Sequence, residues 1–251
     1  TRNKSLVKSL RSKGFKAHYK YSLMGLWLSI SSKVYVYDSR TGSINHWTSA
    51  GALNVNLWHG SPLKTLDRDV SVKDSVFYIG NHTWGIKRLL IRMYIPQCFV
   101  VSDLMIASSI KVKGYFHSAF GTKLIKVTGY PRNDIIITSN LYSKYLGFEQ
   151  DIIDSISTKK SILYAPTFRD TNRVDRKTPI EWKLLNKLLE KYSTTFLIKL
   201  HRQDDSMLMD ENYSNIRILD NDIDIYPLFA KVDLLITDYS SVFFDFLLTD
   251  K

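Results

Sequence analysis

Short apolar runs alternate with helical patterns along most of this chain. Lys33–Tyr37 (KVYVY) is dense in β-branched and aromatic residues and reads as a strand. Ala52–Leu57 (ALNVNL) alternates apolar and polar positions, as a half-buried strand does. Val76–Ile79 and Cys98–Val101 are further strand candidates, and Ser102-Asp103 after the second has the character of a helix cap. Leu124–Thr128, Ser161–Ala165, Thr195–Leu200, Ile216–Leu219 and Val232–Thr237 complete the set of expected strands. Helical patterns cover Lys4–Lys20 (broken near Gly14), Tyr142–Ser157, Ile180–Tyr192, Ile225–Ala230 and Val242–Leu248. Strands alternating with helices predict parallel sheets flanked by helices, an α/β fold.

The most organised stretch is Val232–Leu248: a buried strand, the polar turn Asp238-Tyr239-Ser240-Ser241, then an apolar helix with Asp245 as its only charge. Free backbone N–H groups at such a helix start attract phosphate, and Ser240 and Ser241 suit both the cap and the ligand. Other strands end in polar residues too. His59 follows the second strand, and Arg132 and Asn133 follow Leu124–Thr128. Thr167, Arg169 and Asp170 follow Ser161–Ala165, while His201 closes Thr195–Leu200. In open α/β sheets the ligand crevice lies beyond these carboxyl ends. Histidine serves there as acid or base, and arginine and N–H groups hold anionic oxygens, so the chemistry expected is transfer onto or from a phosphate.

Composition narrows the partners. The 251 residues carry a net charge of +11, which calls for an anionic partner: nucleic acid, acidic lipid or phosphorylated substrate. Seven basic residues from Arg2 to Lys20 precede the first acidic one, Asp38. Lys87, Arg88 and Arg92 are interleaved with Leu89, Leu90, Ile91, Met93, Tyr94 and Ile95, a mixture suited to a membrane surface. No nucleic-acid-binding module is recognisable, and nucleic acid is not an expected partner. His59, His201 and Asp238 lack any local metal-ligand spacing, so no metal is assigned. There is no Walker loop and no G-x-G-x-x-G. No apolar run reaches the roughly 18 residues of a membrane span, no secretory signal is visible, and the single Cys98 allows no intrachain disulfide. The chain opens at Thr1 and closes at Lys251 shortly into a helix, and reads as a fragment.

Five segments together carry a family resemblance. They are Asn56–Lys64 (NLWHGSPLK), Gly129–Asp134 (GYPRND), Ile162–Asp170 (ILYAPTFRD), Lys199–His201 (KLH) and Ile236–Asp245 (ITDYSSVFFD). In order and spacing this set resembles the CDP-glycerol glycerophosphotransferases, the bacterial primases and polymerases of teichoic acid and related capsule polymers. The resemblance implies two Rossmann-like domains facing across a cleft (GT-B type), an acceptor-side domain over residues 1–140 and an incomplete CDP-glycerol-binding domain over 141–251. It implies that His59 and His201 are catalytic. Gly60, Lys64, Arg132, Asn133, Thr167, Arg169, Asp170, Asp238, Ser240 and Ser241 would contact substrates. The implied partners are CDP-glycerol as donor, with no further cofactor, a lipid-linked polyol-phosphate or saccharide acceptor, and the anionic cytoplasmic face of the cell membrane, bound peripherally. A CDP-ribitol transferase, a GT-B nucleotide-sugar glycosyltransferase or epimerase, and a non-catalytic module for anionic polymers remain alternatives.

Overall fold

The computed structural model describes residues 1–138, 149–167, 180–200, 213–221 and 223–251. The chain divides into two units, Thr1–Pro131 and Arg132–Lys251. In the first, the strands β1 (Val34–Tyr37), β2 (Leu53–Asn56), β3 (Leu104–Ala107) and β4 (Leu124–Val127) form a parallel sheet in the order β1-β2-β3-β4. Helices α1 (Lys4–Ser12), α2 (Leu23–Ser31), α3 (Val76–His82), α4 (Gly85–Tyr94) and α5 (Ile110–Phe120) accompany it. Trp58, Met105, Ala107, Val112, Phe116, Ala119, Phe120 and Ile125 form its main core. Helix α5 starts where Ser109 Oγ accepts from Val112 N (3.2 Å) and stops at Gly121, whose φ of 66° suits glycine.

The second unit holds β5 (Lys160–Ala165), β6 (Thr194–Ile198), β7 (Ile216–Ile218) and β8 (Leu234–Thr237), all parallel, in the order β7-β6-β5-β8. Its helices are α6 (Asp134–Ile137), α7 (Glu149–Ile156), α8 (Trp182–Lys191), α9 (Tyr226–Phe229) and α10 (Val242–Phe246), the last running into a 3-10 turn at Leu247–Thr249. Strand order matters here. The chain builds outward from β5 to β6 and β7, then returns to lay β8 on the other side of β5. That reversal places a topological switch point between β5 and β8, the usual ligand position in such sheets.

Four local readings change. Val76–Ile79 is the start of helix α3, not a strand: four apolar residues fit either period, and Ser75 Oγ decides by accepting from Phe77 N (3.3 Å). Cys98–Val101 is not a strand either, because Pro96 opens a 3-10 turn over Pro96–Phe99. The strand comes three residues later, so Ser102-Asp103 precedes β3 rather than a helix. Asp103 Oδ2 instead accepts from Asn54 N (2.7 Å), joining β3 to β2. The helix expected over Lys4–Lys20 ends at Ser12, just before Gly14 at φ 83°. Finally, the unit boundary falls after Pro131 rather than after residue 140, since Ile136 joins the apolar core of the second unit, with Ile135 packed against it.

Candidate active site

In the first unit the site grows out of β2. Asn56 Oδ1 accepts from Trp58 N (2.9 Å), which folds the chain back at the strand end. Trp58 adopts φ 54°, a conformation that costs a bulky residue roughly 1–3 kcal/mol. Its ring is held by Phe120 (centroids 4.6 Å apart) and Phe116 (6.0 Å). The reversal delivers His59 to the surface with its ring 4.3 Å from that of Trp58. His59 Nδ1 lies 2.9 Å from the main-chain oxygen of Asp38. A carbonyl oxygen can only accept, so Nδ1 carries the proton and the neutral ring presents the Nε2 lone pair.

The following residues are tied down as well. Ser61 Oγ is 3.1 Å from Ser108 Oγ beyond β3, and the buried Gly60 offers its carbonyl to Tyr130 Oη at 3.4 Å. The His59 and Gly129–Asp134 segments thus meet through Tyr130. Lys64 is exposed and lines a recess of about 260 Å³ with Leu63, Thr65, Asp69 and Tyr115.

In the second unit Thr167 and Asp238 meet at the switch point. Asp238 Oδ1 accepts from Thr167 N (2.8 Å) and from the Thr167 hydroxyl, while Thr237 Oγ1 donates to Ala165 O (2.6 Å). Ser240 and Ser241 follow at once, but the helix they precede has only five residues. Ser241 makes no side-chain cap, against expectation. Ser240 Oγ accepts from Val242 N at a long 3.4 Å.

Arg132 and Asn133, expected as substrate contacts, both bond to Asp245. Arg132 directs Nε (3.1 Å) and Nη2 (3.0 Å) to Asp245 Oδ2, and Asn133 Nδ2 reaches Asp245 Oδ1 at 2.9 Å. Tyr226 Oη adds a fourth donor at 2.7 Å. Burial and the neighbouring carboxylate push the Tyr226 phenol far above its ordinary range, so it stays a neutral donor. Asp245 and Tyr226 were not expected to matter; the available signal was a lone charge in an otherwise apolar helix. Arg169, Asp170 and His201 lie outside the described residues. Among the described residues no three His, Cys, Asp or Glu side chains gather as a metal site.

Two α/β units, each built on a parallel sheet with polar strand ends, define a Rossmann-like protein. Over residues 3–251 the chain matches the family described as CDP-Glycerol:Poly(glycerophosphate) glycerophosphotransferase, and it belongs to that family. It is 31% identical over 238 residues to a teichoic acid poly(glycerol phosphate) polymerase of Bacillus spizizenii, covering 90% of this chain and 57% of the relative. A Staphylococcus epidermidis protein of the same description is 34% identical over 199 residues, 76% of this chain and 26% of that one. The solved wall teichoic acid polymerase TagF superposes with a TM-score of 0.70 at 27% identity, covering 93% of this chain and 56% of TagF. A TagF histidine variant soaked with CDPG superposes at 0.66, with 26% identity, 93% of this chain and 55% of that one covered. The chain therefore spans about half the length, or less, of these relatives.

Proposed function

We propose that this chain carries the catalytic core of an enzyme that transfers glycerol phosphate from CDP-glycerol to a hydroxyl of a lipid-linked teichoic acid or capsule polymer. The observation that carries the reading is His59, exposed and fixed by Asp38 and Trp58 in the tautomer that leaves Nε2 free to take a proton. The acceptor oxygen attacks the β-phosphorus, its proton passes to His59, and the bridging P–O bond breaks to release CMP. A positioned histidine base contributes about 10²–10⁴-fold to such a step. His201, on the donor side, stabilises the phosphoryl oxygens or protonates the leaving group. Thr167, Asp238, Ser240 and Ser241, with Arg169 and Asp170, hold the donor at the β5/β8 switch point. Gly60 and Lys64 lie on the acceptor side.

The work site in this reading is the anionic inner membrane surface. Helix α4 supports it: Ile86, Leu89, Leu90 and Met93, at helical spacing, are each 58–78% exposed, with Lys87 and Arg92 beside them. No helix among the described residues is long and apolar enough to cross a membrane. Incubating the full-length protein with CDP-glycerol or CDP-ribitol and a lipid-linked acceptor tests the proposal. CMP released with polymer extension from CDP-glycerol supports it; turnover with CDP-ribitol alone, or none with either, overturns it.

A further inference from the structure

The carboxylate of Asp245 is 2% exposed, and at that depth a charge persists only when fully bonded. Arg132 and Asn133 supply much of that bonding from more than 110 residues away in sequence. Asp245 is in turn continuous with the turn before it. Ser240 N donates to Asp238 O (2.9 Å), Phe243 N to Ser240 O (3.2 Å) and Phe244 N to Ser241 O (3.1 Å). Turn and helix are one hydrogen-bonded piece, so whatever holds Asp245 sets where Asp238–Ser241 stands against Thr167. Arg132 Nη2 also reaches Asp245 Oδ1 (3.3 Å), so the guanidinium contacts both carboxylate oxygens and fixes orientation as well as charge.

We propose that Arg132 and Asn133 are positioning residues of the donor site, acting through Asp245 to hold the turn Asp238–Ser241 beside Thr167 at the β5/β8 switch point. The proposal rests on the reading that this turn binds the pyrophosphate of CDP-glycerol. It separates Arg132 from a direct phosphate contact, the role its place in a polar strand-end motif first suggests.

The test is a double-mutant cycle of Arg132→Gln and Asp245→Asn in the full-length protein, reading melting temperature and the dissociation constant for CDP-glycerol. Arg132→Gln alone strips a buried carboxylate of its counter-charge, and should lower the melting temperature and weaken CDP-glycerol binding at least about 10-fold. The neutral pair should recover the melting temperature and bring binding within about twofold of wild type. An Arg132 that touches phosphate predicts otherwise: the pair would melt normally yet stay about 10- to 100-fold weak. That result overturns the proposal. So does a cycle in which melting temperature falls and recovers while CDP-glycerol binding never moves, which would leave a purely structural ion pair. Should Arg132→Gln fail to fold, the pair and Asp245→Asn decide by the same criterion. Failure of the donor reading has a separate signature. Wild type would then not bind CDP-glycerol, sinking the proposal with it, although the thermal coupling of Arg132 and Asp245 would persist.

Discussion

The imidazole of His59 donates its Nδ1 proton to the carbonyl of Asp38, 2.9 Å away, across the adjacent ends of β2 and β1. One ring nitrogen is thereby committed to structure, and chemistry is left to the other. His59→Ala should lower the rate of CMP release by at least about 10²-fold, and His59→Gln by a similar factor, since an amide accepts hydrogen bonds but no proton at neutral pH. Melting temperatures should hardly change, because His59 is exposed. Near-normal turnover in either variant would remove the assignment. His201→Ala is expected to show a comparable loss.

The serines of the β8 turn give a second prediction. Ser241 caps nothing and Ser240 only weakly, so Ser240→Ala, Ser241→Ala should cost the fold less than the roughly 1 kcal/mol of a typical N-cap. A lost hydrogen bond to charged phosphate costs about 1.5–3 kcal/mol, roughly 10- to 100-fold in affinity. Calorimetry should show that weakening for CDP-glycerol and for CDP, with cytidine binding unchanged. Equal affinities for all three ligands in wild type and variant would make the serines structural.

Helix α4 yields a third. A basic residue at an anionic leaflet contributes about 1 kcal/mol, and salt screens it. The full-length protein should sediment with anionic liposomes at low salt and be released at high salt. Replacing Leu89, Leu90 and Met93 with Ser, all exposed, should reduce that binding without lowering the melting temperature. Equal binding to neutral and anionic vesicles would defeat the electrostatic part of the account.

A fourth concerns pH. Burial pushes His46 below its ordinary value of 6.5, and its Nδ1 lies 3.1 Å from the hydroxyl of the buried Thr41. As pH falls the unfolded chain takes up this proton first. The stability from neutral His46 is therefore present above the ordinary value and lost as pH drops through the lowered one. Between about pH 7.5 and pH 5.5 wild type should lose more melting temperature than His46→Gln does. Parallel profiles would show that His46 contributes nothing to acid sensitivity.

Much of this molecule was legible one segment at a time. KVYVY and the runs ending at Ala165, Thr237 and Thr128 announced strands, because β-branched residues bounded by turn formers leave few local alternatives. The polar residues at the strand ends were legible for the same reason, and the ordered motifs carried the family. Four apolar residues at Val76–Ile79 were not enough, since so short a run fits a helix or a strand and Ser75 settled the matter.

By itself, then, the sequence determined the parallel α/β architecture and which polar residues stand at the strand ends, because hydrophobic period and turn chemistry act over a few neighbouring residues. Only the tertiary structure decided what those residues do to one another. The tautomer of His59 depends on a carbonyl 21 residues away, and the partner of Arg132 is a carboxylate 113 residues away. The meeting of Thr167 with Asp238 depends on β8 returning to the far side of β5. Hydrogen bonds and ion pairs are made across space between groups that chain separation does not connect, and a buried carboxylate takes whichever donors the fold brings to it.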